Sequence, residues 1–268
     1  MEWADYNGTR IKATPGAAGC CPQCRSKLIP KCGEHKRWHW AHIGNDCDPW
    51  SEGETAWHKN WKGLFPKEWQ EVVMGPHRAD VCTPTRVLEL QHSPIASAEI
   101  RERENFYGNM VWLFDFRKKR KNVIIEEPDN RAYRLGVPDD IKLFVWRWAL
   151  RSIFACTKPV LVHLATGELY NLFGFGFYNR LNFIGGFVRR VDKPTFMAAI
   201  GAGPLTDQLN EHLYSFDAMP SLDLAKNWQP YWDDEREAHR KIPQFTIRSA
   251  SQTKPKTLRV IRLPIYPK

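Results

Sequence analysis

The chain has 268 residues, enough for one large domain or for a core with an attached module. Lysine and arginine outnumber aspartate and glutamate 39 to 30, and the formal charge of +9 leads us to expect an anionic partner, with nucleic acid first among them. No apolar run approaches the length of a bilayer span, and the start Met1-Glu-Trp-Ala-Asp-Tyr6 has neither the basic end nor the apolar centre of an export signal. A cytoplasmic protein without a membrane partner is expected.

The first segment is rich in cysteine and histidine. Seven cysteines, an odd number with four of them between Cys20 and Cys32, fit metal chemistry in a reducing compartment better than a disulfide framework. Cys21-Pro-Gln-Cys24 is a short knuckle able to place two thiolates on one Zn²⁺ ion, and Lys27-Leu-Ile-Pro30 after it reads as a strand. Cys21, Cys24, His42 and Cys47 are the preferred ligands; His35, His39, Cys20 and Cys32 lie nearby and compete for the fourth position. A structural zinc would supply folding energy to a segment too small to fold alone.

Ser51 to Lys62 reads as a helix capped by Ser51, with Glu54, His58 and Trp61 on one face. Asp80-Val-Cys82, the turn Thr83-Pro84-Thr85 and Val87 to Gln91 read as a hairpin that brings Asp80 back beside Glu89. Strand alternation puts Glu89 and Gln91 on one face and Leu88 and Leu90 on the other. Carboxylates from adjacent strands suit Mg²⁺ or Mn²⁺, which take oxygen ligands and keep positions for water and phosphate. Ser93-Pro94 is expected to start a helix running through Tyr107, with its mixed charges on a solvated face and with Ile100 and Tyr107 turned inward. Met110 to Asp115 follows as a buried strand, and Arg117, Lys118 and Lys119 open a basic loop placed to meet a phosphate backbone.

Beyond the basic loop, Phe144 to Trp148 suggests a short helix, and Lys158 to Leu164 with Gly167 to Phe173 suggests a hairpin continuing the same sheet. Gly174 to Gly186 is aromatic and glycine-rich, Pro194 to Leu224 reads as broken helix, and after Glu237 no acid remains among eight further basic residues. These features divide the chain into a zinc-binding module over 1–48, a core over 49–226 and a basic extension over 227–268.

Asp80, a gap of about ten residues, then Glu89-x-Gln91 resembles the PD-(D/E)XK nuclease signature, with Gln91 where lysine is usual. Taken with Cys21-Pro-x-Cys24, Trp40-Ala-His42, Glu54 with His58 and Lys62, Arg78-x-Asp80, Ser93-x-Ile95 and Trp112-Leu-Phe114, the order of motifs resembles the competence protein CoiA family over about residues 18 to 116. That resemblance implies an α/β fold with a restriction-endonuclease-like core, an active centre of Asp80, Glu89 and Gln91, and contributions from Glu54 and His58. Trp40 departs from the family pattern, where phenylalanine is typical.

The chemistry expected is metal-dependent hydrolysis of phosphodiesters, with Asp80 and Glu89 holding the ion and Gln91 orienting water or donating a hydrogen bond. His58 or His92 is expected to take the proton, with the metal or the substrate phosphate as the alternative. Arg78 and Lys62 join Arg117, Lys118 and Lys119 as expected nucleic-acid contacts. Two rivals stand beside this expectation: an inactive, zinc-stabilised nucleic-acid-binding protein, and a module that works only with a DNA-processing partner.

Overall fold

The computed structural model describes residues 1–202 apart from 36, 45, 52, 120–121, 128–139, 148–150 and 179–182. The basic extension, and the expected broken helix beyond residue 202, lie outside the described residues. The chain builds two sheets, one of five strands and one of nine.

The five-stranded sheet is antiparallel in the order β2-β1-β3-β4-β5, with β1 Trp3–Tyr6, β2 Thr9–Lys12, β3 Gly19–Cys20, β4 Lys27–Lys31 and β5 His39–His42. Its small core is Ala4, Ala13, Cys21, Leu28 and the buried indole of Trp40. Gly19 is needed there, because a Cβ would come within 2.7 Å of Ala4 Cβ and press on Trp40. A core this small makes a metal crosslink a natural stabiliser.

Helix α1, Ala56–Lys62, begins later than expected, at a capping box. Thr55 Oγ1 accepts from the His58 amide, while His58 Nδ1 accepts from the Thr55 amide, so two orphan donors of the first turn are satisfied together. Ser51 instead donates to Asp46. Strands β6 Gln70–Met74, β7 His77–Cys82 and β8 Val87–Gln91 then form an antiparallel meander. The Thr83 hydroxyl accepts from the amides of Thr85 and Arg86 and thereby shapes the β7–β8 turn.

Helix α2 covers Ser97–Tyr107 and also starts later than expected. Ala96 is extended and supplies no side-chain cap, while the Gln91 side-chain amide holds the Ser93 carbonyl in the incoming loop. Gly108, at φ +67°, ends the helix in a conformation glycine adopts without a Cβ clash. Ile100 and Tyr107 do face inward, but so do Arg103 and Glu104, which corrects the expected fully solvated charged face. Strand β9, Met110–Asp115, returns parallel to β8.

The nine-stranded sheet runs β10-β11-β14-β13-β12-β9-β8-β7-β6, adding β10 Val123–Glu126, β11 Ile141–Arg147, β12 Val160–His163, β13 Leu169–Tyr178 and β14 Phe183–Val191. Phe144 to Arg147 thus lies in a strand and not in the expected helix. The register Phe144↔Gly186 and Val145↔Gly185 places this aromatic run beside a glycine-rich strand, and sheet pairing overrides the short helical pattern. The β12–β13 hairpin forms as expected, and β12 is parallel to β9.

The sheet has a hydrophobic cluster on each face. Trp57 and Trp61 of α1 pack with Leu88, Leu90, Val111, Leu113 and Phe196. On the other side Ile100 and Tyr107 of α2 join Val87, Met110, Trp112, Phe114 and Phe144. Fully burying one such side chain is worth about 1.5–3 kcal/mol. Phe196 belongs to α3, Lys193–Ala199, capped by Asp192 accepting from the Thr195 amide.

Candidate active centre and metal site

Asp80 and Glu89 do meet across the β7–β8 hairpin. The Asp80 amide donates to Glu89 Oε1 at 3.2 Å, and the Leu90 amide donates to Asp80 Oδ2 at 2.9 Å. The pairing Val81↔Leu88 carries the register one step further to these two acids. Glu89 is 3 % exposed, whereas the Asp80 side chain is 25 % exposed, so the pair opens to solvent on the Asp80 side.

Two residues not singled out in the sequence complete this centre. Glu71 on β6 lies in register with Asp80, between the pairs Gln70↔Val81 and Val72↔Ala79. Its φ of +47° is unusual for a non-glycine residue, and the carboxylate accepts from the Glu2 and Trp3 amides and from Lys62 Nζ at 2.7 Å. Arg103 on α2 donates to Glu89 Oε2 at 2.7 Å and to the Trp50 carbonyl. The first could be suspected only from the long-range position of an acid in a short strand. The second is hidden in the run Arg101-Glu-Arg103-Glu, which looks like a solvated helix face.

Lys62 belongs to the same centre. It is 3 % exposed and its ammonium pairs with Glu54 and Glu71, with Asp80 Oδ1 at 3.9 Å. It is therefore held among acids and is not presented to a polyanion. Burial opposes its charge, but Glu71, Glu54 and Asp80 together raise its pKa. Burial likewise opposes the charge on Glu71, yet Lys62 and further nearby cations hold that carboxyl well below the usual range. Glu89 goes the other way: burial pushes it up to about 7, against the pull of Arg103 and with repulsion from Asp80.

These residues enclose a small cavity of about 50 Å³, bordered by Glu54, His58, Lys62, Glu71, Asp80 and Glu89. It is large enough for an ion or a few waters, and its lining mixes the four acids with Lys62, Arg78 and Arg103. The acids do not converge on one point, however, because Lys62 draws Glu54 and Glu71 while Arg103 draws Glu89.

The remaining expected site residues do not all converge on this cavity. His58 borders it but has both ring nitrogens engaged, Nδ1 with Thr55 and Nε2 with the Leu90 carbonyl at 3.0 Å, so it ties α1 to β8. Gln91 is 2 % exposed and borders a separate cavity with His92, Phe114 and Trp146. His92 Nδ1 lies 2.8 Å from Asp115 Oδ2. The Arg78 side chain is largely covered beside the centre, the residue's amide donating to Asp48 and its guanidinium to Ser51, with Asp46 at 3.5 Å. Arg117 is fixed by Asp115 and Lys118 is exposed, while the Lys119 side chain lies outside the described atoms.

The cysteine and histidine cluster closes tightly. The ligand atoms of Cys21, Cys24, His42 and Cys47 all lie within 4.8 Å of one another, with Cys21 Sγ 3.7 Å from Cys47 Sγ and Cys24 Sγ 3.4 Å from His42 Nε2. Tetrahedral zinc with thiolate bonds of about 2.3 Å has sulfur–sulfur edges of about 3.8 Å, so this donor set fits the ion. The knuckle turn brings Cys21 and Cys24 together, and β4–β5 pairing sets His42 opposite Leu28. His42 Nδ1 lies 3.6 Å from Asp46, which is positioned to orient the imidazole. Hydrogen bonding from Ser26 above all lowers Cys24 to about 6, while burial, with Cys21 and Cys24 nearby, raises Cys47 to about 12. A divalent cation would relieve that crowding of sulfur. Among the described residues this is the group of three or more potential ligands that closes in this manner, and His35, His39, Cys20 and Cys32 stand outside it.

The architecture and the cluster define the class: a mixed α/β protein with an N-terminal Cys/His group able to bind a metal. Residues 12–49 match the family model for the competence protein CoiA, N-terminal domain, a segment containing all four cluster ligands. Comparisons with curated proteins and with solved structures give no match. No helix among the described residues is long and apolar enough to cross a membrane.

Proposed function

We propose that the chain is a metal-dependent nuclease of the PD-(D/E)XK type that hydrolyses phosphodiester bonds in DNA, with a competence-related role and a structural zinc in its N-terminal module. The observation that carries this reading is the meeting of Asp80 and Glu89 on adjacent strands, with the Lys62 ammonium 3.9 Å from Asp80. The succession α1, three antiparallel strands, α2 and a parallel strand supports the same reading, as does the match of residues 12–49 to the CoiA N-terminal model.

Asp80 and Glu89 would hold Mg²⁺ or Mn²⁺, which supplies Lewis acidity toward phosphate oxygen and lowers the pKa of bound water. Glu71 and Glu54 hold the buried Lys62 ammonium beside Asp80, where it offsets the mutual repulsion of these acids. Arg103 keeps Glu89 oriented, and His58 fixes the distance between α1 and β8. Cytoplasmic DNA and a DNA-processing protein are the partners this reading calls for.

A second reading has its own observation. Lys62 and Arg103 already neutralise the buried acids, so the same centre can stand as a stable ionic core in a DNA-binding module without catalysis. The discriminating assay incubates labelled single-stranded, linear duplex and supercoiled DNA with Mg²⁺ or Mn²⁺. Metal-dependent cleavage that disappears in Asp80→Ala and in Glu89→Ala supports the nuclease. Binding without cleavage on every substrate supports the inactive module.

A further inference from the structure

Strands β8, β9 and β12 run parallel, and their carboxyl ends bring His92, Asp115 and His163 side by side. Ligands of open α/β sheets collect at such ends. Asp115 is buried and receives two hydrogen bonds from Arg117, through Nε and Nη2 at 2.8 Å each, so the guanidinium is held in one orientation. His163 Nδ1 accepts from the indoles of Trp57 at 2.8 Å and Trp61 at 3.2 Å. An indole only donates, so the proton of the neutral imidazole resides on Nε2.

Arg117 and His163 form one wall of a cleft of about 800 Å³, with Leu64 and Leu169 on its apolar surface and Arg190 and Lys193 at its rim. That volume falls in the range of small-molecule sites. None of its bordering residues borders the acidic cavity, so the two are separate places on the protein. Glu168 and Asp192 supply the cleft's acids; Asp192 is engaged in capping α3, and Glu168 lies 3.4 Å from the largely exposed Arg190. Several cations around an apolar floor match a ligand that joins a multiply charged anion to a flat, weakly polar body.

We propose that this cleft binds a nucleoside phosphate, free or as one residue of a single strand, through Arg117, His163, Arg190 and Lys193, with sugar and base over Leu64 and Leu169. Calorimetric titration of the full chain without added divalent metal tests it, using deoxyadenosine monophosphate, inorganic phosphate, deoxyadenosine and a short deoxyadenosine strand as probes. The monophosphate should bind at least about tenfold more tightly than phosphate or nucleoside, as expected when charged contacts and apolar burial act on one ligand. Arg190→Glu with Lys193→Glu should weaken it by at least about tenfold with the melting temperature unchanged, and Leu64→Asp should weaken it independently. Tighter binding of the strand, lost in the same variants, identifies the strand as ligand; equal binding identifies the free nucleotide. Absence of monophosphate binding, or binding untouched by these variants but lost in Asp80→Asn, overturns the proposal.

Discussion

Replacing Lys62 by methionine probes the acidic centre most directly. Methionine keeps the length and apolar character of the stem and removes only the buried ammonium, leaving Glu54 and Glu71 without their shared cation. Breaking a buried ion pair from one side costs about 3–5 kcal/mol. A second route gives a similar figure: keeping a glutamic acid neutral at pH 7, from an ordinary pKa near 4.3, costs about 3.7 kcal/mol. We therefore expect Lys62→Met to lose about 3–4 kcal/mol in urea unfolding followed by tryptophan fluorescence, with little change in the denaturant slope. Glu71→Gln in the same background should return part of that loss, because the amide carries no charge to be left unpaired. The cycle should show a coupling of at least about 1 kcal/mol. A single variant within about 0.5 kcal/mol of the native chain, or strictly additive losses, would refute the view that Lys62 is the electrostatic keystone of the centre.

Protein purified without chelator should contain about one zinc per chain, and Cys24→Ser should lose it; elemental analysis finding none in the native chain would sink the zinc assignment. Free zinc about a thousandfold above its dissociation constant stabilises a fold by about 4 kcal/mol, so chelation should produce a plain drop in melting temperature. Asp115 supplies a pH test. Burial pushes its carboxyl up, but hydrogen bonds from Arg117 and His92 outweigh that and hold it at about 2. A folded pKa below the unfolded value stabilises above about pH 4, and the gain is lost as pH falls toward 2. With Arg117 38 % exposed, the contribution should be about 1–2 kcal/mol, so Asp115→Asn should be weaker than the native chain at pH 7 and nearly level with it at the acid end.

The hairpin joining Asp80 to Glu89 was legible in the sequence because a Thr-Pro-Thr turn and strand alternation are local signals. The cluster of Cys21, Cys24, His42 and Cys47, able to hold a metal, was legible for a similar reason, although the β4–β5 pairing is needed to choose among the neighbouring histidines. Glu71 and Arg103 were not legible. Their importance comes from strand order and helix packing, which place them beside Lys62 and Glu89 over sequence gaps that carry no period. Phe144 to Trp148 misled because five residues cannot distinguish a short helix from a strand whose partner lies about forty residues away.

The Glu71 carboxylate accepts hydrogen bonds from the backbone of Glu2 and Trp3 as well as from Lys62. The first strand of the small sheet and the last residue of α1 therefore share one buried anion. Arg10 adds a second tie by donating to the carbonyls of Lys67 and Gln70. Separating the two sheets would leave that anion with Lys62 alone of its three donors, so neither sheet gains by opening alone. The described chain should accordingly melt as one cooperative unit, with loss of the metal felt as far away as the β6 edge of the large sheet.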